Sequence, residues 1–216
     1  MREPALSFEQ VRYRYSRTGT WVLDDFNIEI PSGSVWLVVG PTGSGKSTFL
    51  YLARGFHKEY GGGFEGKICV KGYNLADLDF YTIGRKGIGW VGQDPSLNLH
   101  QLTVREEILS SPIYYNLSWN GCTSLTDEII ESLRLQELAD KSPMELSGGE
   151  MQRVAIAAAL VMGKHLEDGI LLLDEPDSFL DSKGKRGLIE VLKRLREIGT
   201  TIIKMDLLLV CFTSSL

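Results

Sequence analysis

The chain has 216 residues, of which 43% are hydrophobic and 24% charged, a balance that supports a folded core and excludes a disordered chain. Its formal net charge of -5 provides no excess of Lys and Arg to follow a phosphate backbone, so no nucleic acid is expected among its partners. Cys69, Cys122 and Cys211 are widely spaced and odd in number, which excludes a disulfide framework or zinc spacing and suits a reducing compartment.

From the amino terminus, residues 6–15 alternate as a strand, and residues 26–30 alternate again before a turn at Pro31-Ser32-Gly33. These predict an antiparallel edge. Val35–Val39 is a continuous apolar run, the pattern of a strand buried on both faces of a parallel sheet. A glycine-rich loop and a helix starting near Lys46 follow. Residues 104–145 read as a helical, mostly polar insertion with Ser-, Asn- and Gly-rich breaks around 116–124. A second apolar run at 170–173, a helical stretch at 185–198 and a third run at 200–203 make a βαβ unit. There is no internal repeat, so residues 1–216 are expected to form one α/β domain with 104–145 as a helical subdomain. The first residues lack the apolar stretch of a secretory signal, and no run approaches the ~20 apolar residues of a membrane span. Any membrane association is therefore expected to come through a partner.

Gly40-Pro41-Thr42-Gly43-Ser44-Gly45-Lys46-Ser47-Thr48 satisfies G-x-x-x-x-G-K-S/T in the setting that pattern requires, after a strand and before a helix. Glycines let backbone N–H groups converge on phosphate oxygens, and the helix adds its positive end. Lys46 can reach β- and γ-phosphates, while the Ser47 hydroxyl can ligate magnesium. A phosphate loop of this kind serves many NTPases, so the family has to be read elsewhere.

Leu146-Ser147-Gly148-Gly149-Glu150-Met151-Gln152-Arg153 opens a helix in which Ser147 and Glu150 have the spacing of a capping box. A cap does not call for two adjacent glycines, which cost backbone entropy unless something must approach closely. The segment resembles the signature sequence of ATP-binding-cassette (ABC) proteins, and the resemblance extends over about residues 6–203 with the other motifs in family order. It implies a P-loop NTPase fold, a mostly parallel core sheet with an antiparallel β edge and a helical subdomain, and it implies ATP and Mg2+ as ligands. By the same resemblance Tyr15 would stack on adenine, a contact contributing roughly 1–3 kcal/mol if it behaves like base stacking elsewhere. Gln93 would touch magnesium and sense the nucleotide. Asp174 and Glu175 end the run at 170–173, at the carboxyl end of a strand, where ligands bind in open α/β sheets. Their side chains point to opposite sides, so one can hold magnesium and the other activate water; the resemblance gives Asp174 the first role and Glu175 the second. Ser178-Phe179-Leu180-Asp181 resembles the segment through which two cassettes communicate.

The resemblance further implies that two cassettes, identical or different, pair head to tail, so that residues 40–48 of one and 147–150 of the other enclose each ATP. A separate transmembrane coupling subunit would dock near Gln93 on the cytoplasmic face of the membrane. Residues 93–107 and 153–157 are similar to energy-coupling-factor and cobalt-type importer ATPases, which would make the cargo a vitamin or metal ion. The family places a histidine just beyond the strand that follows the Asp-Glu pair; with that strand read as 200–203, Met205 occupies the place. A thioether cannot donate a hydrogen bond to developing charge. His57, His100 and His165 fall in other segments and read as surface or packing residues. Family members continue beyond this point, so the chain is expected to be truncated, either by a break near Lys204 or as a degenerate partner of an intact paralogue. The competing readings are a soluble, non-transport cassette ATPase and a regulatory subunit that binds ATP with weak turnover.

Overall fold

Strand β1 (Pro4–Arg14) buries Leu6 and Phe8 and then Val11 and Tyr13, a change of phase that a regular strand cannot make. A bulge at Gln10 makes it, with φ of 51° and its N–H donated to Asn27 Oδ1 at 2.7 Å, and the register against β2 (Leu23–Pro31) shifts between Phe8 and Val11. With β4 (Gly63–Val70) and β5 (Tyr73–Asn74), these strands form an antiparallel sheet in the order β2-β1-β4-β5. The computed structural model describes residues 3–57, 62–114, 119–164, 169–178 and 180–206.

A second sheet is parallel and carries the sequence motifs. It has the order β3-β8-β7-β6, from β3 (Val35–Val39), β8 (Thr201–Asp206), β7 (Ile170–Asp174) and β6 (Ile88–Val91). The apolar run of β3 therefore stands at an edge. Leu37 is 41% and Val39 45% exposed, which corrects the expectation of burial on both faces. The fully buried run is that of β7, every residue of which is in the core.

Two apolar clusters cover the faces of the parallel sheet. One joins it to the antiparallel sheet through α1 (Lys46–Ala53), where Phe49 lies 4.9 Å from Phe8 and 5.7 Å from Phe26, ring centre to ring centre. The other packs α3 (Val104–Tyr114), α4 (Trp119–Ser132), α5 (Gly148–Lys164) and α6 (Ser182–Glu197) against Leu171, Leu173 and Ile202. A short helix, α2 (Phe80–Arg85), precedes β6.

Residues 119–124 belong to α4, although the Ser-, Asn- and Gly-rich stretch at 116–124 suggested a break; 116–118 lie outside the described residues. Cys122, Leu125, Thr126, Ile129 and Ile130 are buried at helical spacing, and that burial outweighs the poor local propensity. Strand β8 also runs further than residues 200–203, to Asp206. Met205 is thereby a strand residue, fully buried in the cluster with Phe49, Leu50 and Ile203. This corrects its assignment to the place of a phosphate-contacting histidine, because its side chain faces the core. The position just beyond the strand is 207, which lies outside the described residues, as do Phe179, His165 and the chain from 207 to 216. Among the described residues no helix is long and apolar enough to cross a membrane.

Candidate active site

The loop at 40–45 leaves β3 at the carboxyl end of the parallel sheet and enters α1 directly. Gly43 and Gly45 have φ of 80° and 90°, values that a side chain would strain, and Gly45 is the residue from which α1 starts. No side chain caps that end, and its first turn carries no acid, an arrangement that suits an anion at the helix start. Lys46 curls over the loop, its Nζ donating to the carbonyls of Gly40 at 2.6 Å and Pro41 at 2.9 Å. Ser44 N–H donates to the Pro41 carbonyl at 3.2 Å, which closes the turn through Thr42.

Asp174, at the end of β7, is only 5% exposed and hydrogen-bonds the Ser47 hydroxyl. Burial raises its pKa above the ordinary carboxylate value, against the opposing effects of that bond and of the Lys46 charge. The geometry brings a hydroxyl and a single desolvated carboxylate together beside a phosphate cradle. This oxygen set suits magnesium, which is held by one or two carboxylates with substrate phosphates, and a cation would offset the desolvation of Asp174.

Glu175 follows in a left-handed conformation, φ 48°, which turns the chain sharply. Its N–H donates to the Met205 carbonyl at 3.3 Å. Burial, then the neighbouring negative charge of Asp174, raises its pKa; the hydrogen bond from Ser178 and the charge of Lys46 oppose the rise. Gln93, two residues beyond β6, donates from Nε2 to Glu175 Oε2 at 3.4 Å, although 82 residues of sequence separate them. Ser178 Oγ donates to the Glu175 carbonyl at 2.9 Å and reaches its carboxylate at 3.4 Å. Sequence reading placed Ser178 only in a segment between cassettes; its support of Glu175 was legible only as a serine three residues on, a common and uninformative spacing.

Tyr15 lies just past β1, and its phenol is hydrogen-bonded to the hydroxyl of buried Thr48 on α1. The ring stays 48% exposed beside the phosphate loop. Thus Tyr15, residues 40–48, Gln93, Asp174 and Glu175 come together, from strands β1, β3, β6 and β7. His57, by contrast, stacks on Phe64 with ring centres 4.4 Å apart, a packing role.

The signature residues stand elsewhere. Ser147 precedes α5, and both its N–H (2.8 Å) and its hydroxyl (2.6 Å) donate to Glu150 Oε2. The capping box is therefore half formed: the carboxylate accepts as expected, while the serine hydroxyl turns to it and not to the Glu150 N–H. These bonds lower the pKa of Glu150, the hydroxyl's first. Ser147, Gly149 and Glu150 line a groove of about 700 Å³ against α6, which no residue of the phosphate loop lines.

A family model described as ABC transporter matches residues 23–178. The chain is 34% identical over 206 residues to the energy-coupling factor transporter ATP-binding protein EcfA2 of Leuconostoc mesenteroides, covering 92% of this chain and 70% of that protein. The EcfA2 protein of Streptococcus agalactiae matches with the same identity and coverage. Among solved structures, cbiO1 of Clostridium perfringens, part of the ABC transporter complex cbiONQ, superimposes with a TM-score of 0.77 at 29% identity, over 95% of this chain and 79% of that one. The ATP-binding cassette MJ0796, dimeric and bound to ADP and Pi after hydrolysis, gives 0.79 at 29% identity, over 93% and 87%. With its phosphate loop, paired strand-end carboxylates and signature helix in this arrangement, the chain belongs to the ABC transporter family, as an ATP-binding ATPase subunit.

Proposed function

We propose that this chain powers the import of a small solute of the vitamin or metal-ion class, as one cassette of an energy-coupling-factor type transporter at the cytoplasmic face of the membrane. The observation that carries the reading is the meeting of Ser47, Asp174, Glu175 and Gln93 beside the phosphate loop, with the Ser147 corner lining a groove to which that loop contributes no residue. The likeness to EcfA2 proteins and to cbiO1, part of a transporter complex, supports the importer class.

In this reading Tyr15 stacks on adenine, and the N–H groups of residues 40–45 with Lys46, Ser47 and Thr48 hold the phosphates. Magnesium supplies charge to neutralise the phosphates when bound, and Ser47, Asp174 and Gln93 are the residues that would hold it. Glu175 orients water and accepts its proton; its raised pKa brings its basicity closer to that of a general base working near neutral pH. Ser147, Gly148, Gly149 and Glu150 meet the γ-phosphate of an ATP bound to a second cassette, identical or homologous. Each site is then incomplete alone, and ATP favours the closed pair over the open one by its differential affinity. Residues 104–145 form the helical arm of a single domain, and a transmembrane coupling subunit docks beside it and Gln93.

The test is reconstitution of the chain with a second cassette and a membrane coupling protein in vesicles. Magnesium-dependent ATP hydrolysis that rises with the coupling protein and drives solute uptake is expected. ATP binding without turnover in every assembly would instead assign the chain the regulatory role.

A further inference from the structure

Strand β8 lies between β3 and β7 and contributes apolar residues to both faces of its sheet, Ile203 and Met205 to one cluster and Ile202 to the other. Lys204 interrupts this pattern. It is in register with Leu37 and Leu173, and strand alternation puts its side chain on the Ile202 face. With the side chain only 18% exposed, the ammonium loses much of its hydration, a cost that must be offset by anionic partners. Those partners are Asp177 Oδ1 at 3.1 Å and Asp206 Oδ2 at 3.2 Å.

The two carboxylates belong to different walls of the active site. Asp177 lies two residues beyond Glu175, in the turn that leaves β7. Asp206 ends β8 in register with Val39, the last residue before the phosphate loop. The backbone hydrogen bonds of the turn are long, Glu175 N–H to Met205 at 3.3 Å and Ser178 N–H to Glu175 at 3.2 Å, and the Ser178 hydroxyl adds one of 2.9 Å to the Glu175 carbonyl. The turn also keeps a non-glycine residue at positive φ, a conformation that persists only where its surroundings hold it.

We infer that Lys204 is a positioning residue for hydrolysis: by drawing Asp177 to Asp206, it sets the turn that carries Glu175 against the strand ends that carry the phosphate loop. The inference rests on the role given to Glu175 above. Without the ammonium, Asp177 and Asp206 repel each other, the turn loosens and Glu175 loses alignment. Nucleotide affinity, which resides in Tyr15 and residues 40–48, is unaffected.

The experiment compares wild type, Lys204→Met, Lys204→Arg, Glu175→Gln and the Lys204→Met/Glu175→Gln double variant in the assembly that hydrolyses ATP. Lys204→Met is expected to lower kcat by about 10- to 100-fold, the cost of misplacing a reacting group by about an ångström. KM and the affinity for a non-hydrolysable ATP analogue should stay within about twofold, and Lys204→Arg should recover most of kcat. In the Glu175→Gln background, Lys204→Met should cost nothing further, because both act through one group. A kcat unchanged by Lys204→Met, a parallel loss of affinity that Arg does not repair, or losses that add to those of Glu175→Gln would overturn the positioning role. If Lys204→Met does not fold, Asp177→Asn breaks the same bridge from its other end: lower kcat at constant KM supports the role, and unchanged kcat overturns it. If instead Glu175→Gln hydrolyses ATP as fast as wild type, the assignment of Glu175 fails first, and the inference with it.

Discussion

The Tyr15 phenol and the Thr48 hydroxyl are 2.9 Å apart, a hydrogen bond that ties the end of the antiparallel sheet to the helix of the phosphate loop. Tyr13 braces the same ring edge to face, with centres 5.1 Å apart. The exposed ring of Tyr15 and the phosphate loop are therefore parts of one unit, and a base stacked on that ring would meet a separation already set.

This relationship separates two contributions to affinity. Tyr15→Ala removes the ring and should weaken ATP binding by about 1–3 kcal/mol, roughly 5- to 150-fold. Tyr15→Phe keeps the ring and loses only its tether, so a loss of about 0.5–1.5 kcal/mol is expected. Titration calorimetry with a non-hydrolysable analogue measures both, and equal affinities for wild type and Tyr15→Ala would remove Tyr15 from the site.

Glu175 and Gln93 are expected to respond differently. Glu175→Gln should reduce kcat by about 10²–10⁴-fold while ATP still binds, because a neutral amide cannot accept the proton of the attacking water. Gln93→Ala, which breaks the contact with Glu175 but leaves the carboxylate, should cost less. Single-turnover hydrolysis of bound ATP distinguishes the two, and equal rates for Glu175→Gln and wild type would be incompatible with Glu175 as the base.

The buried carboxyl of Asp174 makes a prediction about pH. Its folded pKa is raised, so between the ordinary carboxylate value and the raised one the native chain holds a proton that the unfolded chain has lost. By linkage, the nucleotide-free chain loses stability as pH rises through that window, and Asp174→Asn abolishes this loss. Urea unfolding from about pH 4 to pH 8 should therefore show the two midpoints diverging with rising pH, the variant becoming the more stable. Parallel curves would mean that Asp174 is not desolvated in solution.

Glu150 behaves with the opposite sign. Its pKa is lowered, first by the Ser147 hydroxyl and then by the Ser147 N–H, so its stabilisation is present above the ordinary carboxylate value and disappears as pH falls through the folded one. Glu150→Ala leaves the start of α5 uncapped and should cost about 1 kcal/mol of stability near neutral pH. Glu150→Gln, which can still accept from the Ser147 N–H, should cost less. Thermal melts of the two variants decide this, and a Glu150→Ala chain as stable as wild type would show that the cap contributes nothing.

What the linear chain already determined is whatever depends on neighbours in sequence. Glycines at 43 and 45 followed by Lys46 imply a loop that turns through positive φ into a helix, and Ser147 with Glu150 implies a helix start, because turns and caps are made by groups three or four residues apart. Tertiary structure alone decided what depends on lateral partners and strand ends. The apolar run of Val35–Val39 looks the same whether a strand is flanked on both sides or one, so only the order β3-β8-β7-β6 revealed it as an edge. Met205 reads as a residue beyond a strand until pairing with Val38 and Asp174 carries β8 one position past it, to Asp206, and turns the thioether into the core. The contacts of Tyr15 with Thr48, Gln93 with Glu175 and Lys204 with Asp177 join segments far apart in the chain, and such contacts exist only once the two sheets and their helices have packed.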